Sequence, residues 1–150
     1  MPYLNQNKSS KQLTMQETAV KYNVSGTNEF ETAKHARTGI PVSAFFDLTN
    51  VSGLSNQELS SILDLSFKTI QRYHKEEKKL NAMNSEQLLK LIDLYQKAEE
   101  VFGDIEPFNR WLRKPAAGLG NEHPFTFLQT SGGIDLVRDE LLRIEYGALA

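Results

Sequence analysis

Apolar residues recur along most of the chain at the spacing of helices, and the few alternating stretches are too short and broken for strands. The longest such pattern runs from residue 84 to residue 102, with apolar positions three and four residues apart. It predicts a helix that begins at Asn84 or Ser85 and ends at Gly103. Shorter stretches with the same spacing precede and follow it, so the pattern predicts an all-α protein.

A pair of short helices is predicted between residues 55 and 75. Ser55 and Glu58 form a capping box, because the hydroxyl can accept from the amide of Glu58 while the carboxylate reaches back to that of Ser55. Ser66 is placed to begin the second helix after a turn of about three residues. The turn of such a pair usually carries glycine where this chain has Asp64, which tolerates the left-handed conformation better than most residues. The arrangement predicts a helix-turn-helix unit.

The last third of the chain predicts three short helices joined by two rigid turns. Pro115 ends the first helix, because its ring cannot follow a helical carbonyl. Gly118 and Gly120 then allow a tight loop with positive φ. Pro124 suits the first residue of the next helix, and Gly147 is expected to close the last one as a left-handed cap. This compact unit suits docking and contains no obvious reagent for chemistry.

Composition narrows the class of protein. The chain has no cysteine, so disulfides and thiolate metal sites are excluded. No run of about 18 apolar residues exists, so neither a membrane span nor a membrane partner is expected, and the expected location is the cytoplasm. The net charge is −2, but the charges are unevenly distributed along the chain. Residues 68–79 hold five basic and two acidic side chains, whereas residues 121–150 hold two basic and five acidic ones.

The sequence gives only weak evidence for a catalytic or cofactor site. The three histidines, His35, His74 and His123, are far apart and lack metal-ligand spacing. The turn around Gly118 and Gly120 lacks the third glycine and the preceding strand of a dinucleotide-binding motif. Neither an enzyme nor a cofactor is therefore predicted.

The outward side of the second helix of the helix-turn-helix unit has the chemistry of a DNA contact. Arginine and glutamine can pair with guanine and adenine edges, while hydroxyl groups and lysines can hold phosphates. The residues predicted to contact DNA are Ser66, Lys68, Thr69, Gln71, Arg72 and Lys75. On the residues alone, a small helical bundle with solvated lysines remains an equal alternative.

Two regions together carry the pattern of a known family. The motifs are Thr38-Gly39-Ile40-Pro41-Val42, Leu54-Ser55 through Arg72, Ala98-Glu99-Glu100-Val101-Phe102-Gly103-Asp104, Trp111-Leu112 with Pro115, Leu119-Gly120, Pro124, Thr130, Gly133, Val137, Leu141, Arg143-Ile144 and Tyr146-Gly147. In their order and spacing the chain resembles the Xre-type antitoxins of RES–Xre toxin–antitoxin systems over about residues 37–150. The C-terminal half of such antitoxins is the Xre/MbcA/ParS toxin-binding domain.

The resemblance implies two roles and two partners. The helix-turn-helix half would bind operator DNA and repress the protein's own operon. The C-terminal half would neutralise a cognate RES-type toxin, from a family that consumes NAD or transfers ADP-ribose. A homodimer is expected because operators of this kind pair two half-sites, and a hetero-oligomer with the toxin follows.

The resemblance also implies that the C-terminal end covers the mouth of the toxin's active site. The residues predicted to contact the toxin are Arg138, Arg143, Glu145, Tyr146, Leu149 and Ala150. The acidic charge of this end suits a toxin site that holds the phosphates of a nucleotide. A frayed terminus is the alternative.

Three regions are predicted within one integrated all-helical body. Residues 1–27 are expected to be a flexible arm with a fragment of order near Thr18–Val24, residues 28–83 the helix-turn-helix region, and residues 84–150 the long helix with the toxin-binding domain. The alternative function is a stand-alone transcriptional regulator whose C-terminal half dimerises or senses a ligand. An enzyme or ligand-binding helical domain is a third and weaker alternative.

Overall fold

A computed structural model of the protein describes residues 12–24 and 29–147. The α-helices within these residues are α1 (Met15–Lys21), α2 (Glu29–Thr38), α3 (Ser43–Ser52), α4 (Asn56–Ile62), α5 (Phe67–Lys75), α6 (Ala82–Phe102), α7 (Ile105–Leu112) and α8 (Ser131–Gly147). Two 3-10 helices, Ala117–Leu119 and Pro124–Gln129, lie between α7 and α8. In these two described ranges, extended pairing is limited to isolated bridges, which confirms the all-α prediction.

The long helix α6 is the centre of the core. It packs against α1, α2 and α3 of the N-terminal half and against α7 and α8 of the C-terminal half. Most of the apolar positions that predicted this helix are fully buried, among them Leu88, Leu91, Ile92, Tyr95 and Ala98. The helix-turn-helix half and the C-terminal half therefore share one hydrophobic core.

The start of α6 differs from the prediction. Asn81 is the residue that caps the helix, and its side chain accepts from the amide of Asn84 at 2.8 Å. Asn84 and Ser85, which were predicted as caps, are buried in the first turn. Their polar groups are used for tertiary contacts, and this cannot be seen from the local spacing.

The segment that contains α1 is ordered within the predicted arm, and it includes the fragment of order predicted near Thr18–Val24. Thr14 and Glu17 form a capping box at its start, with two bonds of 3.0 and 2.9 Å. Met15, Thr18 and Ala19 are buried, because one side of α1 packs against α6. The remaining residues of the predicted arm, 1–11 and 25–27, lie outside the described residues.

The end of α1 is fastened to α3. The hydroxyl of Tyr22 donates a hydrogen bond to the carboxylate of Asp47, and the ammonium group of Lys21 lies 2.8 Å from the same carboxylate. Burial, together with the neighbouring charge of Asp47, raises the pKa of the Tyr22 phenol. The N-terminal segment is thus part of the folded body.

The helix-turn-helix unit has the local structure that the sequence predicted. The Ser55 hydroxyl accepts from the amide of Glu58 at 3.0 Å, and the Glu58 carboxylate accepts from the amide of Ser55 at 3.0 Å. Asp64 has a φ of +54°, which confirms the left-handed turn. Ser66 caps α5 by accepting from the amide of Thr69 at 3.1 Å.

The C-terminal turns agree only in part with the prediction. Gly120 has a φ of +66°, and Pro124 begins a 3-10 helix as expected. Gly118 has no positive φ, and a Cβ there would require the carboxylate of Glu140 to shift. Gly147 is the last helical residue of α8 and does not adopt the left-handed conformation.

Side-chain amides from α6 and α7 bind the open carbonyls at the ends of α3 and α4. Asn109 donates to the carbonyl of Ser52 at 2.6 Å. Asn84 donates to Leu63 at 2.9 Å, and Gln87 donates to Ile62 at 3.3 Å. The last carbonyls of a helix lack partners within the helix, so these contacts complete α3 and α4 with groups from outside the helix-turn-helix unit.

Candidate functional sites

The residues predicted to contact DNA lie together on α5 and its cap. Lys68, Gln71, Arg72 and Lys75 are exposed, and their spacing of three and four residues places them on one side of the helix. Ile70, on the opposite side, is fully buried. The packing of α5 therefore turns its basic and amide side chains outward.

The two hydroxyl groups at the start of α5 are engaged with each other. Ser66 Oγ lies 2.8 Å from Thr69 Oγ1 and also caps the helix. A hydroxyl group used in this way can still accept or donate one further bond. Both residues lie at the positive end of the helix dipole, where a phosphate is favoured.

Arg72 remains available although it has neighbours. Its side chain is 61% exposed, and Nε lies 4.0 Å from the Glu76 carboxylate, which is a loose ion pair. Its guanidinium group also lies 5.3 Å from the centre of the Tyr73 ring. These contacts orient the arginine along the exposed side of α5 without burying it.

Two residues predicted to contact the toxin form ion pairs with α6. Arg138 Nε lies 2.6 Å from the Asp93 carboxylate. Glu145 lies 3.2 Å from the Lys97 ammonium, which also pairs with Glu100. Burial alone would lower the pKa of Lys97, but the two carboxylates outweigh it and raise that pKa. Arg138 and Glu145 therefore fasten α8 to the long helix.

Arg143 and Tyr146 are the predicted toxin contacts that face solvent. Tyr146 is 70% exposed, and the Arg143 side chain is 65% exposed while it pairs with the carboxylate of Glu140. That hydrogen bond and charge raise the pKa of Arg143. Leu149 and Ala150 lie outside the described residues.

The sequence pattern predicts Glu140 to be one of several acidic residues on a helix surface, but it is only 8% exposed. Its carboxylate lies between Gly118 of the preceding loop and the guanidinium group of Arg143. Charge reversal at Glu140 would therefore disturb the loop and would not report on surface charge. The spacing of three residues between Glu140 and Arg143 predicts their ion pair. Nothing in the local sequence predicts the contact of Glu140 with the loop.

A cleft of about 370 Å³ lies between α2, α6 and α8. Its walls carry Lys90 and Arg138, which are paired with Asp135 and Asp93 at 2.7 and 2.6 Å.

Across residues 12–24 and 29–147, no group of three His, Asp or Glu side chains could hold a metal ion. No helix in these ranges is long and apolar enough to span a bilayer.

The comparisons with known proteins agree with this division of the chain. Residues 31–93 match the Antitoxin Xre-like helix-turn-helix domain. Residues 97–147 match the Antitoxin Xre/MbcA/ParS C-terminal toxin-binding domain. These domains are binding modules and not enzymes, in agreement with the prediction. The boundary between the two matches falls inside α6, whereas the sequence prediction placed it at residues 83 and 84.

Two known proteins are similar over most of the chain. An antitoxin Xre from Photorhabdus laumondii is 25% identical over 113 residues, which cover 75% of this chain and 76% of that protein. The solved structure of the M. tuberculosis MbcT–MbcA toxin–antitoxin complex contains a chain that is 20% identical, with a TM-score of 0.57 over 71% of this chain and 94% of its own. This second likeness shows a shared fold.

The two domain matches together span most of the described residues. The similarity to the Photorhabdus laumondii antitoxin and to the chain of the solved complex extends across both domains. The chain therefore belongs to the Xre-type antitoxins, with an Xre-like helix-turn-helix domain followed by an Xre/MbcA/ParS toxin-binding domain.

Proposed function

We propose that this antitoxin neutralises a cognate RES-type toxin through its C-terminal domain and represses its own operon through α5. The observation that supports both roles is a basic, exposed helix-turn-helix side joined through one core to a toxin-binding domain. The RES type of the partner, an NAD-consuming or ADP-ribosylating enzyme, rests on the motifs shared with RES–Xre antitoxins.

For the toxin-binding role, the proposed contacts are Arg143, Tyr146, Leu149 and Ala150. Arg143 and Tyr146 are exposed at the C-terminal end of α8. Arg138 and Glu145 act one step away, because their ion pairs with Asp93 and Lys97 hold α8 in place. Asp139 of α8 is exposed, and its acidic charge suits a toxin site that normally holds phosphates.

For the DNA-binding role, α5 enters the major groove with Gln71 and Arg72 directed at base edges. Lys68 and Lys75 contact phosphates, as do Ser66 and Thr69 at the helix start. A homodimer places two such helices on two half-sites of the operator. With an operator and a toxin as its partners, the proposed location of the antitoxin is the cytoplasm.

Co-expression with the protein encoded by the neighbouring reading frame tests the toxin-binding role. The neighbour carries the affinity tag, and growth and co-purification are measured with the full chain and with a version that ends at residue 144. The full chain is expected to co-purify and to restore growth. The shortened chain is expected to restore less, because it lacks Tyr146 and the residues after it.

A mobility-shift experiment with the operon's own promoter tests the DNA-binding role separately. The full chain is expected to shift the promoter fragment and not a scrambled fragment of the same length and composition. Co-purification without a promoter shift would leave an antitoxin that does not regulate its operon. Failure of the full chain to bind its neighbour would remove the neutralising role.

A further inference from the structure

Large apolar side chains are exposed at only two places in the described part of the toxin-binding domain. Leu136 is 51% exposed and Tyr146 is 70% exposed, and both belong to α8. The other large exposed apolar side chains of the described residues, Val20, Phe30 and Met83, lie outside residues 97–147. Two uncovered apolar groups on one helix of a binding domain are a candidate contact.

Leu136 and Tyr146 lie on the same side of α8. The steps from Leu136 to Asp139, Arg143 and Tyr146 are three, four and three residues, which keep one side of a helix. We refer to these four residues as the outer row. It extends about 15 Å, the rise of ten helical residues. The opposite side of α8, with Ile134, Val137 and Leu141, is buried against the core.

The middle of the outer row carries one charge of each sign. Asp139 is exposed, and the Arg143 side chain is 65% exposed. The buried carboxylate of Glu140 binds the guanidinium group of Arg143 and so limits the directions it can take. An arginine that is oriented before binding loses less conformational entropy when it meets a partner.

We propose that the outer row is the docking surface for the toxin, with Leu136 and Tyr146 as apolar anchors at its two ends. This inference rests on the proposed function. The toxin would offer an apolar groove about 15 Å long, with a basic group opposite Asp139 and an acidic group opposite Arg143. Leu136 and Asp139 enter this surface by their position on α8, and Arg138 and Glu145 are excluded from it.

A second copy of the chain is the competing occupant, because an antiparallel pair of α8 helices would set Leu136 against Tyr146 and Asp139 against Arg143. The domain match favours the toxin, because the outer row lies within the residues that match a toxin-binding domain. A stable interface needs about 800 Å² from each partner, more than a four-residue row on one helix supplies. A toxin can extend from the outer row to other surfaces of the domain that matches residues 97–147.

The test uses the full chain and the purified protein of the neighbouring reading frame, with affinity measured by biolayer interferometry. The variant combines Leu136→Glu with Tyr146→Ala. Both residues are exposed, so thermal unfolding and promoter binding are expected to stay as in the unmodified chain. The affinity for the neighbouring protein is expected to fall at least about 100-fold, since each anchor of this kind contributes about tenfold or more.

The matched control combines Phe30→Ala with Met83→Ala, two apolar residues that are 70% and 74% exposed on α2 and α6. Its affinity for the neighbouring protein is expected to be unchanged. Equal affinity of the outer-row variant and the unmodified chain would overturn the docking surface while the antitoxin role stands. A variant that binds the neighbour normally but sediments as a smaller oligomer would assign the row to self-association. No binding by the unmodified chain would overturn the proposed function as well.

Discussion

The side-chain amide of Asn109 donates a hydrogen bond to the backbone carbonyl of Ser52 across 2.6 Å, joining α7 of the toxin-binding domain to the end of α3. The oxygen of the same amide accepts from the buried hydroxyl of Tyr95 at 2.8 Å. One asparagine therefore satisfies both a helix end in the DNA-binding half and a phenol in the long helix. Water cannot easily replace Asn109 as the hydrogen-bond partner of the Ser52 carbonyl or of the Tyr95 hydroxyl.

Replacing Asn109 by alanine is expected to lower the free energy of unfolding by about 1–3 kcal/mol, because two partly buried polar groups lose their partner. Urea denaturation followed by circular dichroism measures the change. Asn50→Ala is the matched control, since Asn50 is exposed on α3 and its loss is expected to stay within about 0.5 kcal/mol. Equal stability of the two variants would contradict the role of this bond.

A second bond between the halves predicts a dependence on pH. Arg113 lies 2.6 Å from the Glu58 carboxylate, which also caps α4. Burial alone would raise the pKa of Glu58, but the hydrogen bonds from Ser55 and the bond and charge of Arg113 lower it below 4.5. Because the folded state holds this carboxyl at a lower pKa, its stabilising effect is present above pH 4.5 and is lost as the pH falls through the folded value.

Glu58→Gln is therefore expected to unfold with a smaller loss of stability between neutral and acidic pH than the unmodified chain. Arg113→Met should flatten the same part of the curve but less completely, since the bonds from Ser55 remain. Urea denaturation at several pH values measures both. An unchanged slope for Glu58→Gln would show that this carboxyl carries no stabilisation linked to protons.

Much of the fold was predictable where the signal lies within four residues. The capping box of Ser55 and Glu58 and the left-handed turn at Asp64 follow from local chemistry, and the structure has both. The same capping pattern at Thr14 and Glu17 begins α1. That signal was present in the sequence, but the polar composition around it favoured a flexible arm.

The rest depends on contacts between distant residues. Asparagine is a common residue at helix caps, yet the side-chain amide of Asn84 donates to the Leu63 carbonyl from within the first turn of the helix. Arg138 and Glu145 have the charge of surface contacts, but Asp93 and Lys97 on α6 bind them. Periodicity shows which residues share a side of a helix, and it does not show which neighbour that side will meet.

Two adjacent glycines at the start of α8 give a matched stability prediction. A Cβ at Gly133 would overlap the backbone carbonyl of Phe127, whereas a Cβ at Gly132 meets nothing within 4 Å. Gly133→Ala is expected to cost about 1–3 kcal/mol, because the close packing of α8 on the 3-10 helix must open. Gly132→Ala is expected to cost nothing or to stabilise the helix slightly.

Thermal unfolding of the two glycine variants measures the difference. Similar melting temperatures would show that the 3-10 helix can move away from α8. In that case the loop before α8 is adaptable, and its close approach at Gly133 does not fix the position of the helix.

Arg72 and Lys75 are expected to differ in their effect on DNA binding. Arg72→Ala should cost about 1–3 kcal/mol on the promoter and relax the preference at one base pair, since arginine pairs with a base edge. Lys75→Ala should weaken binding to all sequences alike and reduce the salt dependence, since lysine contacts a phosphate. Titration of promoter and scrambled fragments at several salt concentrations separates the two effects. Unchanged binding in both variants would remove α5 as the recognition helix.

The boundary between the two family matches falls inside α6, a single uninterrupted helix. Recombination between two antitoxin genes at that boundary would keep Gln87 from one parent and take Asn109 and the Gln129 carbonyl from the other. Gln87 donates to that backbone carbonyl at 2.8 Å, so a hybrid keeps this contact only if the second parent places its 3-10 helix at the same position against α6. An exchange of whole domains therefore has to preserve the packing across α6, whereas a change on the exposed side of α5 or α8 leaves that packing in place.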